Sequence, residues 1–72
     1  MVHKLKTNLV PIEHKIVKVL LEHDYYLSTK EVAEKAGISW NTALFHLNKL
    51  HEKGWIEREE RGNRIYWSAY TL

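Results

Sequence analysis

The sequence predicts an α+β domain of three helices followed by a two-stranded β-hairpin, and three observations carry that prediction. Apolar residues recur at helical spacing in three segments, each with its own start or stop signal. After Gly54 the period changes from helical to alternating. A turn signal, Arg61-Gly62-Asn63, then divides the alternating stretch into two strand-like runs, the second rich in aromatic residues. A chain of 72 residues has room for one such unit. Its core must be compact, because a chain this short buries only about 60% of its unfolded surface.

Residues 1–10 read as an N-terminal arm or short strand, with Lys4 and Lys6 among Val2, Leu5 and Leu9 at no clear period. The domain proper is 11–72. Pro11 opens helix one, residues 11–23, on which Ile12, Ile16, Val19 and Leu20 fall on one stripe at about 100° per residue. Val17 and Leu21 widen that surface, so they are covered either by another element of the domain or by a second copy. Asp24-Tyr25-Tyr26-Leu27 is a connection with room for one short strand between helices one and two.

Ser28 and Glu31 form a capping box for helix two, residues 29–36, which buries Val32, Ala33 and Ala36 and stops at Gly37. Ser39 caps helix three, residues 40–53. Ala43, Leu47 and Leu50 face inward on it, and Asn41, Phe45, Asn48, Lys49 and Glu52 lie opposite. Trp40 and Leu44 share a flank that points at helix two, and Gly54 ends the helix. Runs 55–60 and 64–70 then pair across the turn. Pairing places Ile56, Ile65, Trp67 and Ala69 on one face and Glu57, Glu59, Arg61, Arg64 and Tyr66 on the other.

Composition removes several function classes. The chain has 44% hydrophobic and 28% charged residues and no Cys, so neither disulfides nor a thiolate metal site staple the core, which fits a reducing compartment. The uncharged stretch between Lys35 and Lys49 is interrupted by Ser39, Asn41, Thr42 and His46 and falls short of the ~18 apolar residues of a membrane span. The N-terminus lacks the apolar stretch of a secretory signal, so a cytoplasmic location is expected. The absence of Gln and Cys and the single Met fit a thermophilic source. The five histidines show no metal-ligand spacing, Ser28 and Ser39 are explained as caps, and no phosphate loop exists. No catalytic activity, metal or cofactor is expected. The net charge of +2 and isoelectric point near 9.0 permit an anionic partner, and the placement of the charges decides more than their sum.

Helix, short helix, three-residue turn, longer helix and basic-tipped hairpin follow the order of a winged helix-turn-helix, and Ala33, Gly37 and Ala43 stand at helix-turn-helix spacing. Residues 42–58, with Leu47, Leu50, Gly54 and Ile56 as their core pattern, resemble the recognition helix and first wing strand of MarR-like and ArsR-like regulators. The run Arg61-Gly62-Asn63-Arg64-Ile65-Tyr66-Trp67 is similar to their wing. The resemblance covers about residues 11–70. It implies sequence-selective binding of double-stranded DNA by a small transcriptional regulator, with helix 40–53 in the major groove and hairpin 55–70 on the backbone or minor groove.

At the matching positions, Asn41 would meet an adenine edge, Trp40, Thr42 and Phe45 a thymine methyl, and Asn48 or Lys49 a phosphate or guanine. Ser39 would meet phosphate at the helix start, and Arg58, Arg61, Asn63 and Arg64 would be the wing contacts. The resemblance also implies a homodimer reading two half-sites, whereas no small-molecule effector is evident and no long terminal helix is left over for dimerisation. Glu57, Glu59 and Glu60 adjoin the wing arginines, so few phosphate contacts and a shallow salt dependence are expected. Lys4, Lys6, Lys15 and Lys18 form a second cluster, read as a solvated face.

Two other readings stand beside this one. Phe45, Leu44, Trp40 and Tyr66 exposed together would make a protein-interaction module within a transcription or replication assembly. A narrower resemblance, to winged helices that bind Z-form nucleic acid, rests on Asn41, Phe45 and Trp67, although Phe45 lacks the phenol hydroxyl of that pattern.

Overall fold

A computed structural model of the chain describes residues 9–69. Along them run α1 (Pro11–Leu21), β1 (Leu27–Ser28), α2 (Thr29–Ala36), α3 (Trp40–Glu52), β2 (Ile56–Arg61) and β3 (Arg64–Ala69). The expectations for Lys4, Lys6 and Tyr70 lie outside the described residues.

Local chemistry sets most of the boundaries. Pro11 occupies the first turn of α1, and the Val10 carbonyl accepts from the amides of Glu13 and His14 at 2.9 and 3.1 Å. The helix ends two residues earlier than its apolar pattern predicts, because its last carbonyls are closed off. The Glu22 amide reaches the Lys18 carbonyl at 3.1 Å, the His23 amide reaches Leu20 at 3.2 Å, and His23 Nδ1 donates to the Val19 carbonyl at 2.8 Å.

In α2 both halves of the capping box form: the Glu31 amide donates to Ser28 Oγ at 3.1 Å and the Ser28 amide to Glu31 Oε1 at 2.9 Å. Gly37 takes φ +73°, which lets the Ile38 amide return to the Ala33 carbonyl at 3.0 Å and turn the chain directly into α3. Lys53 closes α3, one residue inside the predicted limit.

The three strands form an antiparallel sheet in the order β1-β3-β2. β2 and β3 pair from Ile56 opposite Ala69 to Arg61 opposite Arg64, leaving Gly62-Asn63 as a two-residue turn with Gly62 at φ +62°. β1 adds Leu27 opposite Trp67. Ile56, Trp67 and Ala69 are buried against the helices and Ile65 is partly covered, as the alternation requires.

Ile16 and Leu20 of α1, Val32 of α2, and Leu47 and Leu50 of α3 meet Leu27, Ile56 and Trp67 in a single core. Each large aliphatic there contributes about 1.5–3 kcal/mol relative to exposure. Trp67 sits at the centre, and its indole N–H donates to the buried Thr29 hydroxyl at 2.8 Å, which ties β3 to the start of α2. The neighbours of α1 cover Val17 in part, whereas Leu21 remains about half exposed.

Candidate nucleic-acid interface

Burial of Ala43, Leu47 and Leu50 fixes the rotation of α3 and turns Asn41, Phe45 and Lys49 outward, one turn apart from one another. Thr42 and Asn48 flank this stripe half-buried. Phe45 keeps 57% of its surface exposed and Trp40 keeps 51%, large apolar areas to leave on a helix that had polar alternatives. Lys49 Nζ stands 5.5 Å from the Phe45 ring centre, and the ring meets His46 edge-on at 5.1 Å. Ser39 is a working cap: its hydroxyl accepts from the Thr42 amide at 3.1 Å and donates to the Thr42 hydroxyl at 2.9 Å. With both hydroxyls engaged, an anion at this end of α3 would meet backbone N–H groups before it met these side chains.

Three elements converge at the N-terminal end of α3. The first turn of α2, the first residue of α3 and the tip of the hairpin enclose a cleft of about 350 Å³, lined by Ser28, Thr29, Lys30, Trp40, Asn63, Arg64 and Ile65. Trp40, Asn63 and Arg64 are thereby brought together, whereas Arg58 and Arg61 are not on the cleft wall. Lys30 escaped the sequence reading. Its signal was a cation in the first turn of a capped helix, where the backbone dipole disfavours positive charge unless an anion is at hand. Neither Lys30 nor Arg64 has an ion-pair partner among the described residues.

The other two wing arginines are occupied. Arg58 shares the inner face with Trp67, lying 5.9 Å from its ring centre, and donates to Glu60 at 2.9 Å. Arg61 donates to Glu59 at 3.2 Å on the outer face, 4.7 Å from the Tyr66 ring centre and 5.9 Å from that of Tyr26. The hydrogen bond to Glu59 raises the guanidinium pKa further above its ordinary value. The Tyr26 hydroxyl donates to Glu57, and that bond raises the phenol pKa.

A family model described as winged helix-turn-helix DNA-binding matches residues 9–57. The chain belongs to this family. An uncharacterized HTH-type transcriptional regulator from Methanocaldococcus jannaschii is 29% identical over 65 residues, which cover 90% of this chain and 16% of that protein. The chain thus spans about a sixth of the length of this relative. Among solved structures, a mutant of ZitR from Lactococcus lactis in complex with DNA superposes with a TM-score of 0.75 at 26% identity, covering 88% of this chain and 44% of that one. The homodimeric winged helix-turn-helix DNA-binding domain of Mb0332 from Mycobacterium bovis, a possible ArsR-family transcriptional regulator, superposes with a TM-score of 0.71 at 22% identity over 81% of this chain and 52% of that one.

Within this winged helix two sequence expectations are corrected. Trp67 is 0% exposed, so it cannot stand on a surface with Asn41 and Phe45 as the Z-form pattern needs. Strand alternation turns it toward the helices, where Thr29 holds its N–H. Leu44 and Tyr66 are half-buried, and Tyr66 faces the side of the sheet opposite Trp67, so the four-residue apolar patch does not assemble.

The winged helix also contains a buried ionic cluster that the sequence reading missed. Glu13 of α1 is 3% exposed; its Oε2 accepts from His46 Nδ1 at 3.0 Å and its Oε1 from Lys53 Nζ at 3.2 Å, which binds α1 to both ends of the lower half of α3. Burial alone pushes this carboxyl up, but the hydrogen bonds from His46 and Lys53 and the Lys53 charge outweigh it, and the pKa is lowered. The available signal was position: Glu13 precedes Ile16 by three residues and Leu20 by seven, inside the apolar stripe. Among the described residues no group of three or more His, Cys, Asp or Glu could hold a metal ion, and no helix is long and apolar enough to cross a membrane.

Proposed function

We propose that this winged helix is the reading head of a transcriptional regulator, binding double-stranded DNA sequence-selectively and performing no catalysis. α3 enters the major groove with Asn41 and Phe45 toward the bases and Lys49 within reach of a phosphate, and the cleft between α2, α3 and the wing receives a phosphate backbone. The observation that carries this reading is the pair of cations Lys30 and Arg64, without an ion-pair partner among the described residues, on the walls of a cleft at the N-terminal end of α3. Thr42 and Asn48 border the groove contact, the first-turn amides beside Ser39 and the exposed Asn63 supply neutral backbone donors, and Arg58 and Arg61 contribute once their glutamate partners yield. Such a module acts in the cytoplasm, where it meets the chromosome.

A helix of 13 residues is roughly 20 Å long and reads a few base pairs, so two copies on two half-sites would supply the selectivity one copy lacks. The homodimeric state of the Mycobacterium bovis domain supports that arrangement.

The test is a titration of labelled duplex DNA at low and moderate salt with the wild type, Lys30→Ala, Lys49→Ala and Arg64→Ala. Each substitution should weaken binding several-fold across all sequences and lower the salt slope by about 1. If affinity and slope are indifferent to all three, the face described here does not bind DNA.

A further inference from the structure

The exposed stripe of α3 suits one kind of base pair. Building on the DNA reading above, we infer that the winged helix prefers A·T-rich major grooves, with Phe45 packing on thymine C5-methyl groups and the neighbouring Asn41 amide engaging adenine. Phe45 lies at the middle of the stripe with more than half its surface uncovered, its ring touched by its helix neighbours His46 and Lys49. A phenyl ring has no hydrogen bond to offer a base. What it can cover in a major groove is the methyl group that thymine carries and cytosine lacks.

The rest of the stripe agrees. Asn41 is exposed one turn before Phe45, and side chains at this spacing are about 5–6 Å apart at Cβ, so they reach neighbouring base pairs. Its amide has both a donor and an acceptor, which match adenine N7 and N6 in bidentate fashion. The partner of that adenine is a thymine, whose methyl lies in the same groove. Amide and phenyl therefore call for the same composition.

The commonest reader of guanine is missing. α3 contains no arginine, and the three arginines of the chain, Arg58, Arg61 and Arg64, all belong to the wing. Lys49, the cation on the stripe, stands over the Phe45 ring at 5.5 Å, which draws it alongside the apolar contact. Charge complementarity completes the fit: Lys30 and Arg64 border the cleft at the N-terminal end of the stripe, so a polyanion laid there would bring its groove floor to Asn41 and Phe45. A C5-methyl is also present on 5-methylcytosine, but its guanine partner offers Asn41 two acceptors in place of the adenine pair.

The decisive experiment uses the full chain with three duplexes of equal length: one of alternating dA and dT, the same duplex with deoxyuridine in place of every thymidine, and one of alternating dG and 5-methyl-dC. Uracil preserves pairing and charge and removes only the methyl. The wild type should bind the thymine duplex about tenfold more tightly than the uracil duplex, the scale set by a methyl group in an apolar contact. It should bind the methylated G·C duplex more weakly than the thymine duplex. Phe45→Ala should bind the thymine and uracil duplexes equally, while Phe45→Leu should keep part of the preference. Circular dichroism checks that both variants fold, which the exposure of Phe45 leads one to expect. Equal wild-type affinity for thymine and uracil duplexes, with salt-dependent binding intact, overturns the methyl-reading proposal and leaves the DNA reading standing. Preference for the methylated G·C duplex overturns the adenine assignment of Asn41. Absence of salt-dependent binding to any duplex overturns the DNA reading along with the inference.

Discussion

A carboxylate 3% exposed between two helices should resist ionisation, yet Glu13 is held in its charged form, and its surroundings explain how. Both of its oxygens are used, one by His46 at 3.0 Å and one by Lys53 at 3.2 Å, while Lys53 itself keeps 38% of its side chain in water. The desolvation cost thus falls mainly on the acid, whose two charge-assisted hydrogen bonds offset it. Because the folded-state pKa lies below the ordinary carboxylate value of 4.5, the stabilisation is fully present above that value and is lost as pH falls through the folded-state pKa. Urea denaturation of the wild type should therefore show the midpoint dropping as pH is lowered from about 5 to about 3. Glu13→Gln keeps the shape and removes the charge, so it should cost about 1–3 kcal/mol at neutral pH and flatten that acid-side drop. An unchanged acid profile in Glu13→Gln would show that other carboxylates carry it.

At the scale of elements, the hairpin presents three arginines but offers one of them freely. Arg58 and Arg61 are held by Glu60 and Glu59 within the same strand, and Arg64 has no such partner among the described residues. Exposed pairs of this kind add little to the stability of the fold. Their larger effect is on the field at the wing, since each glutamate offsets a cation that would otherwise attract any phosphate. Glu59→Gln with Glu60→Gln should leave the melting temperature nearly unchanged, tighten binding to random-sequence duplex, and steepen the salt slope by about 1 for each arginine released. Unaltered binding to random duplex would mean that the arginines never reach the backbone.

The same scale explains what the sequence made legible. Helix limits and hairpin register followed from short-range chemistry: Ser28 with Glu31, Gly37, Gly54 and Gly62-Asn63 each act over a few residues. The stripe of Asn41, Phe45 and Lys49 was legible for the same reason, since a helical period fixes what shares a face. The end of α1 was overrun because the bond from His23 to Val19 leaves no mark on periodicity. The short strand expected between helices one and two is present as β1, fixed opposite Trp67, whereas the cleft at Lys30 forms only when the hairpin folds back over α2. Glu13 was passed over because its partners arrive from α3. Readings that needed a long-range partner were out of reach of spacing alone.

Residues 9–69 measure 35 × 22 × 20 Å and the whole chain carries a formal net charge of only +2, so bulk attraction cannot be what selects its site. What matters is how many cations are free where DNA would lie. Lys30, Lys49 and Arg64 have no carboxylate partner among the described residues, whereas Arg58, Arg61 and Lys53 are each paired with one. One copy therefore has about three charges to exchange for condensed counterions, which predicts a log–log salt slope near −3 for a single bound copy and near −5 for a pair on two half-sites. The slope thus reports stoichiometry as well as footprint. It should be measured together with the sedimentation of the complex, so that mass and charge are counted on the same sample. One copy per duplex with a slope near −3 would place the reading unit in a single winged helix. Two copies with a slope near −5 would support the paired arrangement and point to the half-exposed Leu21 on α1 as a place to seek the contact. A single copy with a slope of about −4.5 would instead point to Arg58 and Arg61 leaving their glutamates in the bound state, because five free cations at about 0.9 each give that value.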